Sequence, residues 1–146
     1  MTIVRLVGAF LIAAAATYAL AVAFYTRQVV AAQVAIGAEY EPDQIAAAFA
    51  QNFTGLASGY GLAVAGGLAI AFAVAAGLKR VLRPLAPIAY PLAGAAALYA
   101  TITLIDRQFP GVGAIGGART PLGLALQCLA GAVGGVVFTL LRPRGR

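Results

Sequence analysis

The chain has 146 residues, 62% of them hydrophobic and 10% charged, with a net charge of +6 and a mean hydropathy of +0.94. A water-soluble domain carries about 25% charged residues, so this composition excludes water as the solvent for most of the exterior. Histidine and tryptophan are absent and Cys128 is the only cysteine, which excludes His-ligated haem, nucleophile–His relays, internal disulfides and thiolate metal cages.

Taken in chain order, the first apolar stretch is Ile3–Tyr25, interrupted only by Arg5. It reads as a retained transmembrane helix. A cleaved signal peptide is the alternative, with Ala19–Leu20–Ala21 and Ala21–Val22–Ala23 as small-residue cleavage candidates. The apolar run is longer than the roughly 7–15 residues of a signal core, which favours the helix. Val29–Ile36 continues that helix, and Gly37 is a stop signal.

Glu41–Pro42–Asp43 then reads as a new helix start, with proline early and acids in the first turn. Ile45, Phe49, Phe53 and Leu56 follow at helical spacing, so an amphipathic helical excursion is expected between the first two spans. The second span is Leu56–Leu78 and the third Pro84–Ile105, both without charge. Pro87 and Pro91 are expected to loosen or kink the start of the third. The glycine-rich segment Asp106–Thr120 cannot be regular helix throughout. Thr120–Pro121 is a start signal for the fourth span, Pro121–Leu141. Each span has the roughly 20 residues that a helix needs to cross about 30 Å of hydrocarbon. The expected fold is an all-α, membrane-embedded bundle of four transmembrane helices in one domain over residues 1–146.

Charge orients the bundle. Arg5, Lys79, Arg80, Arg83, Arg142, Arg144 and Arg146 fall on one side without an acid. Arg27, Arg107 and Arg119 share the other side with Glu39, Glu41, Asp43 and Asp106, every acid in the chain. Lys and Arg accumulate on the cytoplasmic side, so both ends are expected in the cytoplasm of a bacterial inner-membrane protein, with the excursion outside. The cations form short clusters rather than an aromatic-interleaved stripe, so nucleic acid is not an expected partner.

Within the spans, small residues recur every four positions. In the fourth they are Gly123, Gly131 and Gly135 together with Gln127. Successive members advance 40°, giving one gently winding stripe suited to close helix packing. Similar sets are Ala9, Ala13, Thr17 and Ala21 in the first span, and Gly59, Ala63, Gly67 and Ala71 in the second. Gln127 needs a hydrogen-bonding partner inside hydrocarbon. Interhelical attachment is its plain role, and lining a solute path the sharper one. Asp106 and Arg119 form a candidate outer-face polar pair. Arg119 beside the start of the fourth span is also the one arrangement that suggests an anion site. Cys128 has no activating neighbour in sequence and reads as packing. No residue is assigned to catalysis, metal or cofactor.

The run Ala114–Phe138, through its ART and AGAVGG pieces, is similar to the last span of small, uncharacterised four-span bacterial membrane proteins, a resemblance that implies architecture and no function. In size the chain also resembles small multidrug exporters and dual-topology fluoride channels. It lacks the carboxylate in the first span of the former and the hydroxyl-rich, Phe-containing filter of the latter. The resulting expectation is a non-enzymatic membrane protein without cofactors, acting by lateral association with the bilayer, other subunits or itself, as an accessory or regulatory subunit. The alternative is a small-solute transporter or channel built by homo-oligomerisation.

Reporters active on only one side of the membrane test the orientation. Fused after Leu82, Gly113 and Arg146, they are expected to read inside, outside, inside; an outside signal at Arg146 contradicts the charge-based topology.

Overall fold

The computed structural model describes residues 2–81, 84, 86–110 and 115–143, apart from the side chain of residue 2. Arg83, Arg144 and Arg146, and positions 111–114 of the glycine-rich segment, lie outside the described residues. The described residues form five α-helices: α1 (Thr2–Ala35), α2 (Pro42–Gly55), α3 (Leu62–Val81), α4 (Ala89–Gln108) and α5 (Pro121–Leu141). Four segments among them are long and apolar enough to cross a membrane: Ile3–Ala35, Ala57–Val81, Ala89–Gln108 and Pro121–Leu141. The protein is an all-α bundle of four such helices.

Local chemistry sets the element ends. The 34 residues of α1 span about 50 Å at ~1.5 Å per residue, more than a hydrocarbon core of about 30 Å. Its last turns therefore project past the membrane, and Gly37, at φ 99°, takes the left-handed conformation that glycine reaches without steric cost. At the start of α2 the backbone N–H of Glu41 donates to Gln44 Oε1 at 3.0 Å, one half of a capping box. At the start of α5 Thr120 Oγ1 accepts from the Gly123 N–H at 3.0 Å.

Two boundaries differ from those expected. The third span begins at Ala89 rather than Pro84, and Pro91 falls in its first turn, where a missing N–H costs no intrahelical bond. The proline therefore marks a helix start instead of a kink. The second span opens on a π-type turn, Ala57–Gly61, in which the Gly61 N–H donates to Leu56 O at 2.9 Å.

α5 is the centre of the bundle, packed on α4 and on α1, while α3 packs chiefly on α4. Backbone meets backbone there. A Cβ on Gly131 would overlap Gly94 O and come within 2.9 Å of Leu98 Cδ2. One on Gly135 would overlap Tyr90 O and lie 2.6 Å from Pro91 N. On the neighbouring face a Cβ on Gly134 would occupy the place of Thr17 Oγ1 of α1. At the other end, Gly117, in the short 3₁₀ turn Gly116–Ala118, has room for no Cβ because Tyr25 Cα would be 2.5 Å away. Lipid tails are as apolar as the helices, so dispersion across close backbones, not hydrophobic burial, holds such a bundle.

Alanine substitutions test this directly. Gly131→Ala and Gly135→Ala are each expected to cost about 1–3 kcal/mol through overpacking. At Gly66 and Gly77 an added Cβ would meet nothing within 4 Å. Alanine there is expected to change stability by less than about 1 kcal/mol, in the stabilising direction. Thermal unfolding of the four variants in one detergent checks the contrast.

Candidate functional site

The polar centre of the bundle is Gln127 on α5, completely buried. Its Nε2 donates to the backbone oxygen of Ala21 on α1 at 3.0 Å. Its Oε1 accepts from the Tyr60 hydroxyl at 2.8 Å. A helical carbonyl keeps a second lone pair after its own helix bond, which is why Ala21 can accept without breaking α1. Tyr60 is delivered by the π turn, where the extra residue turns its ring inward and leaves it buried. Gly61 beside it makes room for the Tyr18 ring, which a Cβ there would meet at 3.2 Å. One amide thus ties three spans together.

Further polar contacts lie towards the same end. Asn52 Nδ2 of α2 donates to the buried Thr26 Oγ1 of α1 at 3.0 Å, and the Tyr18 hydroxyl donates to Phe53 O. With Tyr18 and Phe53 rings 5.0 Å apart, these contacts fold α2 back against α1. The expected excursion is therefore helical and docked, with Ile45 and Phe53 still substantially exposed. Thr17 Oγ1 donates to Ala13 O at 2.8 Å. None of these groups is arranged as a nucleophile with a base. Among the described residues no three His, Cys, Asp or Glu gather as a metal site would require.

Gly123, Gln127, Gly131 and Gly135 are all buried, and their neighbours are α4, α1 and the 3₁₀ turn of the same chain. Ala9, Ala13, Thr17 and Ala21 are buried too. The second-span set behaves otherwise. Gly59 is exposed and Ala71 lines an open groove, while Gly67 lines that groove and also packs closely on α4, where an added Cβ would lie 2.6 Å from Thr101 Oγ1. The buried face of α3 carries Val64, Leu68, Phe72 and Ala75, one residue and hence 100° further round. Asp106, in the last turn of α4, and Arg119, just before α5, are both exposed. Cys128 is half-buried.

Three features are not signalled by small-residue spacing. Phe10, Phe72, Tyr90 and Phe138 give one ring from each span and form an aromatic cluster at the opposite end from Gln127. Phe72 and Phe138 stack at 4.7 Å, and Tyr90 meets them at 5.6 and 5.0 Å. Phe10 reaches Phe72 at 6.4 Å. Lys79 Nζ and Arg142 Cζ lie over the Tyr90 ring, 5.0 and 4.8 Å from its centroid. An apolar groove of about 590 Å³ opens between α3 and α4. The polar tip of Tyr60 in an uncharged, largely apolar span was the available clue to Gln127's partner, since a buried tyrosine hydroxyl seeks a bond. No family model, curated protein or solved structure matches the chain. Fold and polar centre together define a small multi-pass helical membrane protein.

A double-mutant cycle measures the centre. Tyr60→Phe and Gln127→Leu are each expected to lower stability by about 0.6–2 kcal/mol. Tyr60→Phe made on top of Gln127→Leu is expected to cost almost nothing more, because the acceptor is already gone. Fully additive losses in thermal unfolding contradict the bond.

Proposed function

We propose that this protein is a non-enzymatic subunit of the bacterial inner membrane that acts by lateral association, as an accessory or regulatory component of a membrane complex. The observation that carries this reading is how the polar interior is used. Of the four buried polar side chains among the described residues, Gln127, Thr17 and Thr26 are spent on bonds between or within helices, and Thr101 lines the groove between α3 and α4. A transport path needs buried polar or charged groups left facing a solute. The centre of this bundle instead brings backbones into contact at Gly94 and Gly131.

The outer surface supports the same reading. In the most apolar window of each span only 22–33% is buried, and large apolar side chains such as Leu11, Ile70, Leu104 and Leu140 are exposed, available to lipid or to other helices. The charge split, with every acid on the far side from Arg5, Lys79 and Arg142, supports cytoplasmic ends.

Extraction in a mild detergent followed by mass determination tests the proposal. A heteromeric complex is the expected result. A homo-oligomer that also conducts a solute across reconstituted vesicles overturns it in favour of a transporter.

A further inference from the structure

We propose that the groove between α3 and α4 is a binding site for an anionic phospholipid, with an acyl chain in the groove and the headgroup phosphate held by Lys79 and Arg142. The groove is lined by Gly67, Ala71 and Ala75 of α3 and by Ala93, Ala96 and Ala100 of α4, among others, and Lys79 also lines it. Apart from Lys79 and Thr101, its lining is apolar. From Gly67 to Lys79 it runs about 18 Å along α3 at ~1.5 Å per residue. Along α4 it runs from Ala89 to Leu104, about 22 Å, longer than one leaflet and shorter than the whole hydrocarbon core of about 30 Å. A packed transmembrane helix would call for the whole core; a single acyl chain does not.

The charged end completes the site. Lys79 and Arg142 share the Tyr90 ring, which holds their charges within about 10 Å of one another, comparable to a Debye length. Arg5 lies on the same end, lining a cleft of about 320 Å³ with Arg142. The acids Glu39, Glu41, Asp43 and Asp106 all belong to the other end. Arg142 donates a long bond, Nη1 to the Tyr90 hydroxyl at 3.4 Å, and its Nε is buried without a partner among the described residues. Like charges brought together on one ring, with every acidic side chain at the far end, suit a phosphate. Because Lys79 lines the end of the apolar groove and Arg142 shares the Tyr90 ring with it, the phosphate belongs to a lipid rather than to a soluble anion. The site is independent of whether the protein is an accessory subunit.

Native mass spectrometry of the intact protein tests this, using dioleoyl phosphatidylglycerol, dioleoyl phosphatidylcholine and inorganic phosphate as probes. The wild type is expected to retain phosphatidylglycerol in preference to phosphatidylcholine, and excess phosphate is expected not to displace it. Lys79→Gln is expected to weaken phosphatidylglycerol about fivefold, as for one cation near a membrane surface. Arg80→Gln, which removes a charge next door, is expected to matter much less, and Lys79→Arg to restore binding. Ala96→Phe, in the groove wall, is expected to reduce retention of both lipids while leaving thermal stability intact. Equal retention of the two lipids, displacement by phosphate, or equal effects of Lys79→Gln and Arg80→Gln would overturn the proposal. So would an Ala96→Phe variant that loses an oligomer but keeps its lipid, since the groove would then hold a second copy of the chain.

Discussion

At Gly131 and Gly135 the backbone of α5 lies directly against Gly94 and Tyr90 of α4, and at Gly134 it lies against Thr17 of α1. Everything else in the bundle is arranged about these contacts. Close approach multiplies dispersion contacts along the whole crossing, and in a bilayer that is the main attraction available between apolar helices. Two different faces of α5 are consumed in this way. The small residues that could have recruited a foreign helix to α5 are therefore already occupied by the chain's own.

Above and below this crossing sit two unlike attachments. At one end the amide of Gln127 is bonded to Ala21 and Tyr60, satisfying in low dielectric a group that would be costly alone. At the other, four rings from four helices pack edge-to-face and stacked, contacts that add specificity of geometry beyond burial. The π turn at Ala57–Gly61 reconciles the two ends. It lets the second span present Tyr60 to Gln127 and Phe72 to Phe138 from one continuous helix.

α3 belongs to the least enclosed span, with 22% of its most apolar window buried, and it leaves the groove beside α4 open. What α3 and α4 offer their surroundings is thus an apolar concavity with Lys79 at its foot.

Composition and periodicity alone determined the class, the four spans, the helix starts at Glu41–Pro42 and at Thr120–Pro121, and the segregation of acids from most of the cations. These are properties of single segments: length against bilayer thickness, caps against orphan backbone groups, and cations against a membrane surface. The sequence also marked Gln127 as needing a partner, because an amide in hydrocarbon must bond somewhere. It did not say with what. Which helix meets which face depends on contacts between residues as distant as Gly94 and Gly131, or Tyr60 and Gln127, and four-residue spacing is common to buried and exposed faces alike. In α1 the small set Ala9–Ala21 is the buried one. In the second span the equally regular set Gly59–Ala71 is not, because Val64, Leu68 and Phe72, one residue on, complete the aromatic and aliphatic core. Only the tertiary structure decides between such faces, since the choice is made by the shape of the neighbour and not by the helix itself.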